Sequence, residues 1–305
     1  MDWLGWTKNG ENFAGCIDCS RGITAIQIDL VRKGLANYAE STSYTTQSLN
    51  GFGTTTWNGR TIQVYYNDAG SIAKSNFRLN GVYYQVDSTT GEILKTQTLM
   101  NDKVWWEGID ISQWNAGIDL SQYKNGFVMI RVGFGWSSTP YSTTIDTFTQ
   151  MDKQFKANVR QCEALGIPYG FYWFSYARNS LEARLEAQTF KQVTKGYHPQ
   201  LGYWMDVEKT TFTQDYWTAN TINANIRAFT SEFSLNNMNI GIYADYSTFT
   251  YYIDTTYPKW VAHYGRDDGN WNVDLSKMNN IKIHQYTSRP LDRDVFYVDP
   301  AKLWD

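Results

Sequence analysis

The sequence predicts an α/β protein: an irregular, TIM-like (β/α) barrel preceded by a small, mainly β N-terminal region. Three observations carry this expectation. From Trp106 onward, short apolar strand-like runs alternate with amphipathic helical stretches, the pattern of repeated βα units. No G-x-G-x-x-G or P-loop opens any of these helices, which disfavours a nucleotide-binding sheet and favours a barrel. All six prolines and all three histidines lie after residue 139, whereas the first hundred residues are rich in Gly, Ser, Thr, Asn and Tyr. A compositional break of this kind divides the chain into domains 1–100 and 101–305.

The elements follow in order. Residues 23–30 alternate apolar and polar positions, as a half-buried strand does. Between 57 and 94 a repeat of about twenty residues runs aromatic, Asn-Gly turn, Tyr-Tyr strand, Gly turn, and predicts two short hairpins. Residues 107–112 and 127–132 are strand-like. Ile145, Phe148, Met151, Phe155, Val159, Cys162 and Leu165 recur at helical spacing, and Gly166 with Pro168 ends that helix. A strand over 169–175, a helix over 180–195 and a strand over 201–207 come next. Ile222, Ile226, Phe229 and Phe233 mark another helix, followed by strands at 240–244, 260–264 and 281–286.

Bulk properties exclude several functions. A net charge of −3 gives no polyanion-binding surface, so nucleic acid is not an expected partner. No apolar run approaches the length of a membrane span, and the N-terminus lacks the basic-then-apolar pattern of a signal peptide. Three cysteines are too few and too oddly numbered for a disulfide scaffold. Cys16 and Cys19 form half of a zinc-ribbon pattern with nothing to complete it, so neither metal nor cofactor is expected. Cys162 reads as a helix core residue. Aromatics are the anomaly, at 16% of the chain. Flat rings stack on sugars, but they also fill ordinary cores.

Chemistry concentrates at strand ends, where barrel enzymes place their reactive groups. In Tyr203-Trp204-Met205-Asp206-Val207-Glu208 the two acids fall on one strand face, roughly 6–7 Å apart at the strand rise. Asp110 ends the strand at 107–112, and Asp292 follows the strand at 281–286. Four converging carboxylates raise one another's pKa values, so that one stays protonated near neutral pH. Paired acids of this kind suit glycosidic bond cleavage. Arg131, at another strand end, is a partner for Asp110 or a neighbouring acid. Tyr172, Phe174, Trp204, Trp260, Tyr264 and Tyr286 are expected to line a sugar groove. His263 and His284 read as satisfied barrel residues.

Seven ordered segments give the barrel a resemblance. They are G-I-D-I-S-Q-W at 108–114, V-M-I-R at 128–131 with G-F-G at 133–135, G-F-Y-W-F at 170–174, M-D-V-E at 205–208, W-V-A-H-Y at 260–264, H-Q-Y-T at 284–287 and D-R-D-V-F-Y at 292–297. Together they resemble glycoside hydrolase family 25 lysozymes, the Chalaropsis-type muramidases of phage endolysins and bacterial autolysins. The resemblance implies a flattened barrel whose later strands lose their helices, and cleavage of the β-1,4 bond from N-acetylmuramic acid to N-acetylglucosamine in peptidoglycan. It assigns Glu208 as general acid, Asp206 as the carboxylate that orients the substrate acetamido group, and Asp110 and Asp292 as further cleft acids. Attack by the acetamido oxygen and direct inversion by water both fit the spacing of Asp206 and Glu208. Two positions depart from the family: Trp173 stands where many relatives have His, and Asp294 replaces a frequent Asn.

Residues 1–34 resemble a ChW repeat, within a unit taken as 1–50, and the hairpins within 51–100 resemble cell-wall-binding repeats. These resemblances imply anchoring to a Gram-positive cell wall and leave room for oligomer assembly through the N-terminal region. Without an export signal, the expectation is a phage endolysin held in the host cytoplasm until release to the wall, with a virion-associated or extracellular lysin as the alternatives. Two other functional readings are a hydrolase of another N-acetylhexosamine polymer and a non-catalytic wall-binding or phage structural protein on the same fold. The D-x-x-D-x-D-x-E motif of chitinases is missing, and retention of all four acids weighs against a pure binder.

Overall fold

A computed structural model describes residues 51–305 apart from 68, 100, 136–150 and 212. The ChW-like stretch with Cys16 and Cys19, and the helical positions Ile145 and Phe148, lie outside the described residues. The described residues divide into two compact units, one within 51–74 and 87–93, the other within 75–86 and 94–305.

In the first unit, β1 (Gly51–Trp57) and β2 (Arg60–Tyr66) pair antiparallel around Asn58-Gly59. Both turn residues have positive φ, 49° and 77°, which is why Asn-Gly occupies the bend. Arg60 pairs with Glu92. In the second unit, β3 (Phe77–Leu79) and β4 (Val82–Val86) repeat that geometry around Asn80-Gly81, at φ 51° and 74°. With β5 (Ile93–Thr98) they make a three-stranded sheet. The two hairpins expected between 57 and 94 are therefore present. Tyr83 of the second is 2% exposed and packs its ring against Trp105 and Trp106.

The second unit is built on a closed eight-stranded barrel. Its strands are β6 (Trp106–Ile111), β7 (Phe127–Phe134), β8 (Tyr169–Phe174), β9 (Tyr203–Asp206), β10 (Ile240–Asp245), β11 (Lys259–Ala262), β12 (Ile281–Thr287) and β13 (Arg293–Phe296). Helices α1 (Phe155–Leu165), α2 (Ser180–Val193) and α3 (Ala219–Ser234) follow β7, β8 and β9. After β10 comes only the short α4 (Tyr246–Tyr251), and no helix stands between β11 and β12 or between β12 and β13. A barrel that loses its later helices is what the family resemblance leads one to expect.

Two features were not expected. The helix bearing Phe155, Val159 and Cys162 begins only at Phe155, because Met151 makes an antiparallel bridge with Gly133 and Asp152 N–H donates to Val132. The eighth strand, β13, runs antiparallel to both β12 and β6. Its N-terminal end therefore shares the barrel rim with the C-terminal ends of the parallel strands.

Strand alternation sorts side chains into two cores. Outward positions such as Ile109, Val128, Ile130, Phe171, Met205 and Ile242 pack beneath the helices, where Cys162 is fully buried and its thiol is pushed up to about 12 by that burial and by Glu163. Inward positions such as Trp106, Phe127, Met129, Trp204, Trp260 and Phe296 fill the barrel floor. Glycines opposite the largest rings make this possible. Gly241 lies directly across from Trp204 in the β9–β10 ladder, and a Cβ there would stand 2.3 Å from the indole. Gly241→Ala is accordingly expected to cost about 1–3 kcal/mol through overpacking, read as a lowered urea midpoint with an unchanged slope.

Candidate active site

The open end of the barrel gathers the acids. Val207 continues β9 by donating its N–H to Tyr243 O at 2.9 Å and turns its own side chain into the helix-facing core. Asp206 and Glu208 therefore project together to the inside. Asp110 ends the inward row of β6, and Asp292 sits just before β13 at the same rim. All four predicted acids are thus brought to one end of the barrel. Asp110 and Asp206 are buried, Glu208 and Asp292 half-buried.

Burial and neighbouring carboxylates raise every one of them. Asp206 is pushed well above the carboxylate range by burial and by Glu208, with Arg131 opposing. Its Oδ1 has no hydrogen-bond partner among the described residues. Glu208 is raised by burial and then by the charges of Asp245 and Asp292, with Tyr243 and Arg131 opposing. Asp292 is pushed up to about 6 by burial and by Asp267. Asp110 is raised by burial and by Asp294 and Asp292, while Gln285 Nε2 donates to its Oδ2 at 2.6 Å.

Asp245 is a carboxylate that the sequence reading missed. It caps α4, accepting from Thr248 N at 2.9 Å and Thr248 Oγ1 at 2.6 Å. Burial opposes ionisation there, but the bonds from Thr248 and Ser247 outweigh it and hold the group below its ordinary value. A fixed charge thus faces Glu208, favouring its protonated form. The signal was available: an acid closing a strand, followed three residues later by Thr, is a helix-capping pattern.

Arg131 is buried and its Nε donates to Asp152 Oδ2 at 2.8 Å. The same oxygen accepts the Gln113 backbone N–H at 2.8 Å, so Asp152 ties the end of β6 to β7. Of the partners expected for Arg131, Asp110 or a neighbouring acid, the structure gives a different acid, Asp152, which a helical reading of 151–155 concealed. Nη2 of Arg131 remains without a partner among the described residues.

The aromatic positions divide. Trp204 and Trp260 are at most 1% exposed and belong to the barrel interior, and Tyr286, 2% exposed, is buried beside Arg293 and Glu107, so the expectation that they line a groove is corrected. Trp260 serves the acids instead, donating Nε1–H to Asp294 Oδ1 at 2.7 Å. Tyr172 is buried edge-on against Trp260, with its hydroxyl held up by burial and by Asp110. Phe174 and Tyr264 are half-buried. An open groove of about 530 Å³ is lined by Glu208, Lys209, Tyr243, Tyr246, His263 and Tyr264 among others. Of these, Tyr246 and His263 have ring centroids 5.0 Å apart, tilted by 38°, and neither was singled out as a groove residue from sequence. His284 is a satisfied barrel residue, as expected, bonded to Tyr297 Oη and His263 O.

Comparison with known proteins agrees with this architecture. The family model "Glycosyl hydrolases family 25" matches residues 109–295. A glycosyl hydrolase 25 of Streptococcus pneumoniae, described as a virulence factor participating in host cell invasion, superposes with a TM-score of 0.53 at 23% identity, covering 64% of this chain and 89% of that one. The catalytic domain of an endolysin from a Listeria monocytogenes bacteriophage gives a TM-score of 0.52 at 20% identity, covering 67% and 98%. A bacterial lysozyme from Streptomyces coelicolor gives 0.52 at 21%, covering 67% and 97%. No curated protein sequence matches the chain significantly.

Proposed function

Because the chain belongs to glycosyl hydrolases family 25, we propose that its barrel is a muramidase, cutting peptidoglycan between N-acetylmuramic acid and N-acetylglucosamine. One observation carries this reading: Glu208, a half-buried acid on the wall of the groove, is held toward its protonated form by burial and by Asp245 and Asp292. A carboxyl that can deliver a proton is what departure of a sugar alkoxide requires. Glu208 donates that proton as the glycosidic bond lengthens, and the acids around it favour the positive charge that develops on the sugar ring.

Asp206 supports the N-acetylhexosamine part of the proposal. Its Oδ1 is an acceptor with no donor among the described residues, and Arg131 Nη2 is a donor with no acceptor. An acetamido group offers one N–H and one C=O, and so complements both. Asp206 orients it through the N–H. Asp110 and Asp292 complete the acidic rim, and Tyr246 with His263 offers a stacking surface for a neighbouring sugar. The N-terminal region holds the enzyme to the wall, which raises local substrate concentration without a new catalytic contact. A phage-endolysin setting, with release from the host cytoplasm, is part of the same reading and rests on the sequence resemblance.

Digestion of purified Gram-positive peptidoglycan is expected to release fragments with new reducing ends at muramic acid, identified by borohydride reduction and mass analysis. Intact glycan strands with freed stem peptides, or reducing ends at N-acetylglucosamine, would overturn the assignment.

A further inference from the structure

We propose that Asp294 is a positioning residue that shares a single proton with Asp110, so that the two acids together carry one negative charge. The argument begins with donors and acceptors. Asp294 is fully buried; Oδ1 accepts from Trp260 Nε1, while Oδ2 has no partner that supplies an N–H among the described residues. Asp110 accepts one N–H, from Gln285. In that arrangement Gln285 Oε1 accepts from Tyr243 Oη at 2.7 Å and Tyr264 Oη at 2.8 Å, and Nε2 is the atom turned to Asp110.

Register brings the two acids together. Asp294 of β13 pairs with Gly108 of β6, and Asp110 lies two residues further on the same inward face. Their carboxyls are close enough to hydrogen-bond to each other. Each acid thus has one N–H donor and meets the other acid with an oxygen that needs a proton. No ion pair with lysine or arginine reaches either of them among the described residues. The titratable groups that face the pair are Asp292 before β13, Tyr172 of β8, Tyr243 of β10, Tyr264 beyond β11 and Tyr286 of β12. Burial raises all four tyrosines, so each remains a neutral phenol near pH 7. Of the cations at these strand ends, Arg131 is committed to Asp152, and Arg293, beside Asp294 in β13, is exposed and engages Tyr286.

Two ionised carboxylates in contact inside a barrel are not sustainable. One proton, donated from the Asp110 side to Asp294 Oδ2, supplies the missing donor and removes one charge. The relay then runs from Trp260 through Asp294, Asp110 and Gln285 to Tyr243, which lies within hydrogen-bonding reach of Glu208. Asp294 touches no substrate in this arrangement. It sets the charge beneath the cleft, whichever glycan is cut.

The test uses Asp294→Asn, whose amide oxygen can still accept from Trp260 and whose Nδ2–H can donate to an ionised Asp110. Above about pH 5 the wild-type native state should hold one more proton than the variant, so its unfolding constant should rise an additional tenfold per pH unit relative to the variant. Parallel stability curves would overturn the proposal. Infrared spectra near neutral pH give a second readout that needs no activity. Asp294→Asn and Asp110→Asn should each abolish the same protonated-carboxyl C=O band. Loss of a separate band from each variant would mean two independent protons, and no change in either would mean none; both outcomes exclude sharing. If one variant does not fold, the other makes the same measurement from its side of the pair.

Discussion

Glu208→Gln is expected to leave the barrel folded and to reduce glycan cleavage by roughly 10²- to 10⁴-fold, the contribution typical of a positioned general acid. The substitution keeps the size and the hydrogen-bonding capacity of the side chain but removes the transferable proton. Its neighbours have no need of the charge. Asp245 is held by Thr248, and Tyr243 donates to Gln285, so neither loses a required partner. Folding should be maintained or improved, because a carboxyl that burial and Asp245 push above its ordinary range resists ionisation in the native state. The measurements are release of reducing ends from purified walls and the thermal midpoint. A variant that still cleaves at near wild-type rate would remove Glu208 from the chemistry; one that unfolds would show a structural need for the acid. Binding to walls should be unaffected.

Much of this site is legible in the sequence, because strand alternation and the strand-end rule depend only on spacing. Asp206 and Glu208 flank an apolar Val207, and that pattern alone puts both acids inside once the strand is recognised. The parts that were not legible share a cause. β13 has only four residues, opens on a charged turn and carries no apolar run, so nothing in its pattern announces a strand. Yet it closes the barrel between β12 and β6, and through that closure Asp294 meets Asp110. Pairing between elements nearly two hundred residues apart is a tertiary fact, set by where the sheet closes rather than by local preference.

The aromatic residues make the same point from the other direction. Trp204 and Trp260 look alike as candidates for sugar stacking, because periodicity places both inside the barrel but says nothing of depth. Depth is set by what lies opposite. Gly241 gives the Trp204 ring space on the barrel floor, and Asp294 accepts from the Trp260 indole, so both rings are consumed internally. Tyr246 and His263 reach the groove because they follow the ends of β10 and β11, one residue past the strand in each case.

Asp206→Asn should separate stability from activity by moving them in opposite directions. The carboxyl is buried, its Oδ1 lacks a donor, and burial together with Glu208 raises its pKa well above the ordinary value. A carboxyl raised on folding stabilises the native state fully only below its unfolded value, near 4, and that contribution is lost as pH rises toward the native value. At pH 7 the wild type therefore carries a penalty that the neutral amide avoids. Asp206→Asn should raise the thermal midpoint at pH 7, with the difference shrinking as pH falls and gone below about 4. Activity should drop on the order of 10²-fold or more, since an amide cannot supply the same charged acceptor to the substrate acetamido N–H, and misplacement of a reacting group alone costs about that much. A variant both less stable and less active would mean that Asp206 is held for folding. One more stable and fully active would mean that the open oxygen has no part in the reaction. The expected pairing, a gain in stability with a loss of rate, follows only if a buried acid has been left without partners so that substrate can provide one.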